Sequence, residues 1–162
     1  AGIYFADILS RMGLYPGAPN PPFTPGMEVS GTIHELGPDV KGFKKGDRVV
    51  GSGTNGGYST HTIANSKGVF KIPENISFEV AAAFPAVYFT SYLMVIHPGA
   101  LQKGESILIH GVAGGVGLAS IELAKIAGAK TIFGTCSPEK HDFVRDKGVL
   151  PVDKDNFLAE IM

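Results

Sequence analysis

The sequence predicts an α/β protein in two parts, a β-rich first half and a second half built on a parallel sheet. Three observations carry that expectation. Up to about residue 75, short apolar runs are separated by glycine and proline. After Ser77 the pattern becomes strand, helix, strand, helix, strand. Between the first of those strands and its helix lies a glycine-rich turn, Gly111 to Gly117. The composition fits such a chain: 44 % hydrophobic and 18 % charged residues over 162 positions is globular, not disordered. A formal net charge of −1 offers no broad basic surface for nucleic acid or anionic lipid. No run of about 18 apolar residues predicts a membrane span. One cysteine, Cys136, excludes an internal disulfide and any multi-cysteine metal site.

In the first half, residues 6–12 read as a helical turn closed by Gly13. Asn20 to Pro25 holds three prolines, which give an extended loop without ladder donors. Met27 to Leu36 alternates in part and reads as a strand. Lys45 to Val50 is a turn feeding a strand; Gly57 to Ala64 and Gly68 to Ile72 are further β-rich runs. Together they suggest a compact barrel-like β domain.

In the second half, Ser77 opens a helix with Glu79 close behind, and Pro85 restarts it towards Ile96. Glu105 to His110 is a strand with a continuous apolar centre. Leu118 to Ala127 is a helix stopped by Gly128, and Thr131 to Phe133 a second strand. Ser137 is expected to cap a helix over 138–147, with proline at its first position and Gly148 past its end. Leu150 to Val152 is a third strand, and Asp155 starts a helix that includes Met162.

The stretch from Ser106 to Gly117 is where phosphate chemistry belongs. Glycines let backbone N–H groups approach a pyrophosphate without Cβ atoms in the way. The helix N-terminus adds unpaired donors and partial positive charge. Ala113, Gly114, Gly115, Val116 and Gly117 are therefore the candidate cofactor-binding residues, with Gly117 the position for close helix–strand packing. The pattern departs from G-x-G-x-x-G, because Val112 stands at the first glycine position. It nonetheless has the strand and helix that dinucleotide binding requires, which a merely tight structural turn would not need.

An acid at the tip of the second strand would bind the ribose hydroxyl of NAD. This chain has Gly134-Thr-Cys-Ser-Pro-Glu-Lys140 there, with no acid at the tip itself. Ser137 and Lys140 suit a 2′-phosphate, hence NADP(H). The alternative is an ordinary cap followed by an exposed lysine.

With the first half, these residues resemble the medium-chain dehydrogenase/reductase superfamily, in its zinc-free, NADPH-dependent quinone oxidoreductase branch, the zeta-crystallin-like group. The matching stretches are Gly2 to Leu9, Arg11 to Tyr15, Pro25 to Gly31, Gly46 to Val49, Gly56 to Tyr58, Phe84 to Tyr92, the glycine-rich turn and Ser137 to Lys140. The resemblance implies a GroES-like β domain over residues 1–86, followed by a doubly wound Rossmann domain over 87–162. Family members are about twice this long, so both domains are expected to be partial. The missing part would include an initial β segment and the later sheet strands. A sheet stopped after its third strand would leave an unpaired apolar edge, and the chain alone would be a poor catalyst that tends to associate.

The resemblance also implies a hydride-transfer enzyme. Thr90 matches a position near the nicotinamide, although it is equally a plain helix residue. Tyr15 matches a tyrosine facing the substrate cleft; it could donate to a carbonyl, or simply pack on the proline run. Tyr4 stands where many members carry asparagine, which alters the expected substrate contacts. Asp7 falls in the same motif, and helix capping explains it equally well. Zinc-dependent members carry Gly-His-Glu, whereas this chain has Gly26-Met27-Glu28, and methionine is a poor zinc ligand. The five histidines show no ligand spacing, so no metal is expected.

The expected reaction is hydride transfer from NADPH to a small quinone or activated alkene, by positioning rather than by metal. The alternatives are an enoyl-thioester reductase on the same scaffold, or a nucleotide-binding structural or adaptor protein without turnover. A homodimer of the longer protein is expected. The single free cysteine favours a cytoplasmic setting.

Overall fold

The computed structural model describes residues 1–52 and 55–161 and divides the chain into two compact units, Ala1–Ala86 and Val87–Met162. Met162, which the sequence places in a helix, lies outside the described residues.

In the first unit, helix α1 (Phe5–Arg11) precedes an antiparallel meander of β1 (Glu28–Thr32), β2 (Arg48–Ser52) and β3 (Val69–Lys71). Glu28 stands opposite Ser52 and Thr32 opposite Arg48, while Val50 stands opposite Phe70. β1 ends four residues before the expected Leu36. The run from Gly57 to Ala64 is not a strand. Gly56 and Gly26 both have φ near +100° (94° and 103°), which breaks a regular ladder. The backbone of 56–58 instead donates to the carbonyls of Thr24, Gly26 and Pro25 at 2.8–3.1 Å. A Cβ on Gly57 would stand 2.9 Å from the Gly26 carbonyl oxygen, so glycine is what allows the two segments to close on each other.

Arg48 holds the segment that leads into α2 (Phe78–Ala82). Its guanidinium donates to the carbonyls of Pro73, Glu74 and Ile76 at 2.6–3.0 Å and lies over the Phe78 ring. A rigid five-donor fork suits three converging carbonyls in a way a lysine ammonium does not. Ser77 caps α2 by accepting from Val80 N–H at 3.3 Å, as its position predicts. The buried residues of this unit are unusually polar: they include Glu28, Asp7 and Ser10 as well as Ala81 and Ala82.

Helix α3 (Pro85–Val95) restarts at Pro85 as expected and runs into the second unit. There a parallel sheet is ordered β4 (Ser106–His110), β5 (Thr131–Thr135), β6 (Leu150–Val152). Among the described residues β5 is the central strand, and β4 and β6 lie at the two edges of this sheet. Helix α4 (Gly115–Ala127) starts three residues earlier than predicted, within the glycine-rich turn. It stops at Gly128, which is left-handed (φ 82°). The core of this unit comes from both sheet and helices: Val95, Ile109, Val112, Ile121, Ala124, Ile132, Val144 and Val149.

The helix expected over 138–147 is shorter and begins differently. Pro138–Lys140 is a single 3₁₀ turn, and α5 covers only His141–Arg145. Helix α6 (Phe157–Ile161) begins two residues after Asp155.

Candidate functional site

The glycine-rich turn places glycines at 114, 115 and 117, around the start of α4. Gly111 is left-handed (φ 63°) with open space where a Cβ would be. Gly114 precedes the helix in extended conformation, with no side-chain cap. The N–H groups of residues 115–117 open α4 without intrahelical acceptors. Gly117 serves packing: a Cβ there would lie 2.5 Å from the Val112 carbonyl oxygen and 2.6 Å from that of Gly111. Gly115 faces Val87, whose Cγ1 would be 3.2 Å from an added Cβ. Ala113 is half-buried against the core. Val116 accepts the hydroxyl of the fully buried Ser91 on α3 at 2.8 Å, which ties the two helices together. This cradle fits a pyrophosphate: backbone donors at a helix N-terminus, with glycine at 114 and 115.

A cavity of about 430 Å³ lies along the turn, lined in part by Met94, Ile107, His110, Gly114, Gly117 and Ser120. Thr135, which the sequence does not mark, steadies the turn. Its hydroxyl lies 3.2 Å from both Gly111 N and His110 Nδ1. Thr90 stands exposed on α3 beside Ser91 and does not line this cavity.

The tip of β5 differs from its sequence reading. Ser137 does not cap a helix through its side chain. Its hydroxyl donates to the carboxylate of Glu139, two residues on. That bond holds Glu139 below the usual carboxylate range. A carboxylate therefore occupies the neighbourhood where none was expected, and the Ser137 hydroxyl is engaged by it. Lys140 is exposed one residue further on. Cys136 packs against the core, and burial raises its thiol pKa, as suits a packing residue rather than a nucleophile.

In the first unit, Tyr15 lines a second cavity, of about 170 Å³, together with Asp7, Ser10, Phe23, Met27 and Asn55. Met27, at the position of the zinc-ligating histidine, thus faces the same space as Tyr15. Among the described residues, no group of three or more His, Cys, Asp or Glu side chains could hold a metal ion. Tyr4 does not line this cavity. Its hydroxyl donates to the buried Glu28 carboxylate, and burial, then that bond, raise its pKa. Asp7 is more than a helix cap: its carboxylate accepts from Tyr4 N–H at 2.9 Å, Tyr58 O–H at 2.8 Å and Gly26 N–H at 3.3 Å. Nothing in the local pattern marks Tyr58 as its partner, 51 residues away.

Comparison with known proteins agrees with both halves. A family profile for the alcohol dehydrogenase GroES-like domain matches residues 1–74. The chain belongs to the medium-chain dehydrogenase/reductase superfamily. Among its curated relatives, the zebrafish (Danio rerio) synaptic vesicle membrane protein VAT-1 homolog is 42 % identical over 153 residues, covering 94 % of this chain and 32 % of that protein. Human (Homo sapiens) quinone oxidoreductase is 41 % identical over 140 residues, covering 86 % of this chain and 42 % of that protein. The crystal structure of CurK enoyl reductase matches with TM-score 0.91 at 32 % identity, covering 99 % of this chain and 52 % of that one. A mycobacterial protein solved in complex with NADPH matches with TM-score 0.85 at 32 % identity, covering 94 % of this chain and 47 % of that one. The chain thus spans about a third to two fifths of the length of these curated relatives. As a superfamily member it carries a GroES-like part followed by a Rossmann-type parallel sheet. None of its helices is long and apolar enough to cross a membrane, among the described residues.

Proposed function

We propose that this chain is the substrate- and cofactor-binding part of an NADPH-dependent oxidoreductase, which passes hydride to a quinone or activated alkene without metal. The observation that carries the reading is the glycine-rich turn between β4 and α4, with Gly117 seated on the Val112 carbonyl. Residues 1–86 would serve as the substrate domain and 87–162 as the cofactor domain. The NADPH-bound structural relative and the quinone oxidoreductase relative support the cofactor and reaction class.

In this reading the bound cofactor supplies the hydride. The amides of 115–117 would hold its pyrophosphate, and Lys140 would pair with its 2′-phosphate. Thr90 would help to hold the nicotinamide. Tyr15 donates a hydrogen bond to the acceptor carbonyl, whose oxygen takes up a proton from a side chain or water. Met27 leaves that oxygen without a metal, so orientation carries the catalysis. Tyr4 acts on substrate only indirectly, because its hydroxyl is held by Glu28.

The likeness to an enoyl reductase favours one second reading, reduction of a 2-enoyl thioester. The test is NADPH oxidation by the complete gene product with 1,2-naphthoquinone and, separately, with a 2-enoyl thioester. Turnover with neither would leave a nucleotide-binding protein and overturn the enzymatic reading. Metal analysis of dialysed protein should find no stoichiometric zinc. A homodimer of the longer protein belongs to the same reading, and sedimentation tests it. So does a cytoplasmic setting; the zebrafish relative's name places that protein at a vesicle membrane, and fractionation distinguishes the two.

A further inference from the structure

We propose that Asp7 makes the Tyr15 cavity selective for ligands bearing a hydroxyl, so that the substrate class is a hydroxyl-bearing quinone or unsaturated carbonyl compound and not an anionic one. The proposal rests on Tyr15 serving as the carbonyl donor.

Size comes first. An apolar cavity of ~150 Å³ is enough to hold benzene. The cavity of about 170 Å³ here takes a single ring or a short unsaturated carbonyl compound. Phe23, Pro25 and Met27 give it apolar walls.

Polarity comes second. Asp7 is 8 % exposed and lines this space. Among the described residues no lysine, arginine or histidine forms an ion pair with it. Its partners are three neutral donors. Tyr4 N–H and Tyr58 O–H both reach Oδ2, and Gly26 N–H reaches Oδ1 at 3.3 Å. A carboxylate offers about four acceptor positions. One therefore remains, on Oδ1, whose existing bond is the longest of the three. Ser10 does not compete for it, because its hydroxyl donates to the Ala6 carbonyl at 2.8 Å. The wall thus presents a buried carboxylate oxygen with one acceptor position open beside its long bond to Gly26 N–H, and a hydroxyl can fill it. A carboxylate or phosphate in the same place would meet a buried like charge. A ligand with a carbonyl at one end and a hydroxyl at the other matches Tyr15 and Asp7 together. Sites that hydrogen-bond a hydroxyl reject analogues without it far better than sites that only fill space.

The test measures equilibrium binding to the chain of 4-hydroxyacetophenone, its methyl ether 4-methoxyacetophenone and 4-acetylbenzoate. The phenol should bind about tenfold or more tighter than the ether, and the benzoate weakest. Asp7→Asn should reduce the phenol preference to about threefold or less and strengthen benzoate binding. Equal affinity for phenol and ether, no binding of either, or an unchanged preference in Asp7→Asn would overturn the proposal. Should Asp7→Asn not fold, Tyr58→Phe decides. It keeps the carboxylate and frees one acceptor position, so the preference should hold or grow, and its loss overturns the proposal. These readouts need no hydride transfer. Absence of NADPH turnover would defeat the enzymatic reading while leaving the binding result intact.

Discussion

The buried carboxylate of Glu28, on β1, caps helix α3: its Oε2 accepts the N–H of Ala86 at 2.7 Å. Ala86 is the second residue of a helix that opens with proline, so its amide has no intrahelical acceptor. The other oxygen of Glu28 accepts the Tyr4 hydroxyl. A negative group at a helix N-terminus is also favoured by the macrodipole.

Glu28→Ala should therefore remove the acceptor of two half-buried donors, Tyr4 O–H and Ala86 N–H, and leave a cavity. Each unsatisfied donor costs about 1–3 kcal/mol, so a loss of about 2–5 kcal/mol is expected in urea unfolding. Glu28→Gln keeps one acceptor and should cost clearly less. Equal, small losses for both would show that the cap contributes nothing.

Two glycines in the turn should respond differently to alanine. At Gly117 the new Cβ meets backbone at 2.5–2.6 Å, which cannot step aside. Gly117→Ala should cost about 1–3 kcal/mol and abolish cofactor binding by displacing α4. At Gly111 there is room, and only the left-handed φ resists. Gly111→Ala should cost about 1–2 kcal/mol with cofactor affinity largely kept. Thermal unfolding and NADPH fluorescence titration check both. The reverse order would contradict the packing role of Gly117.

Lys140→Ala should weaken NADPH by about tenfold or more, through loss of a charge-assisted contact, and hardly touch NADH. Glu139→Gln should do the opposite for NADPH. It removes a carboxylate from the 2′-phosphate neighbourhood and loosens its hold on the Ser137 hydroxyl. NADPH affinity should rise severalfold and NADH should not gain. Parallel changes for both cofactors would place the 2′ position elsewhere.

The Tyr58 hydroxyl is pushed up from 10.0 to about 12 by burial, then by its bond to Asp7 and the Asp7 charge. The folded state holds this proton more tightly than the unfolded chain. Its contribution is fully present below pH 10 and is lost as pH rises from 10 towards 12. Tyr4 shifts in the same direction. Ultraviolet titration of the folded chain should show Tyr4 and Tyr58 ionising well above pH 10. Tyr58→Phe should remove one of the two late steps and flatten part of the alkaline loss of stability. A Tyr58 hydroxyl that ionises near pH 10 would count against the Asp7–Tyr58 bond.

How much of this is legible from sequence divides along one physical line. Ser77, Pro85 and Gly128 act through their own backbone neighbourhood, and each ends or starts a helix where its residue type predicts. The turn at 111–117 was legible for the same reason, because a strand, glycines and a helix in succession leave few other arrangements. The boundaries that moved did so where local signals were weak. Residues 57–64 have strand-like composition, but left-handed glycines at 26 and 56 bind that segment to 24–26 irregularly. Ser137 looks like a cap, yet its hydroxyl found the nearer, charged acceptor on Glu139.

What only the tertiary structure decided is the partnering of buried polar groups. Glu28 and Ala86 are 58 residues apart, and Asp7 and Tyr58 are 51 apart. Periodicity reports which face of an element is apolar; it carries no information about which distant donor a buried carboxylate will meet. In the second unit the buried groups are mostly aliphatic and interchangeable in kind, so the pattern sufficed to place its fold. In the first unit the interior is carried by Asp7, Ser10 and Glu28. Hydrogen bonds are directional and each group needs a specific partner, so that interior could be read only once the chain had folded around it.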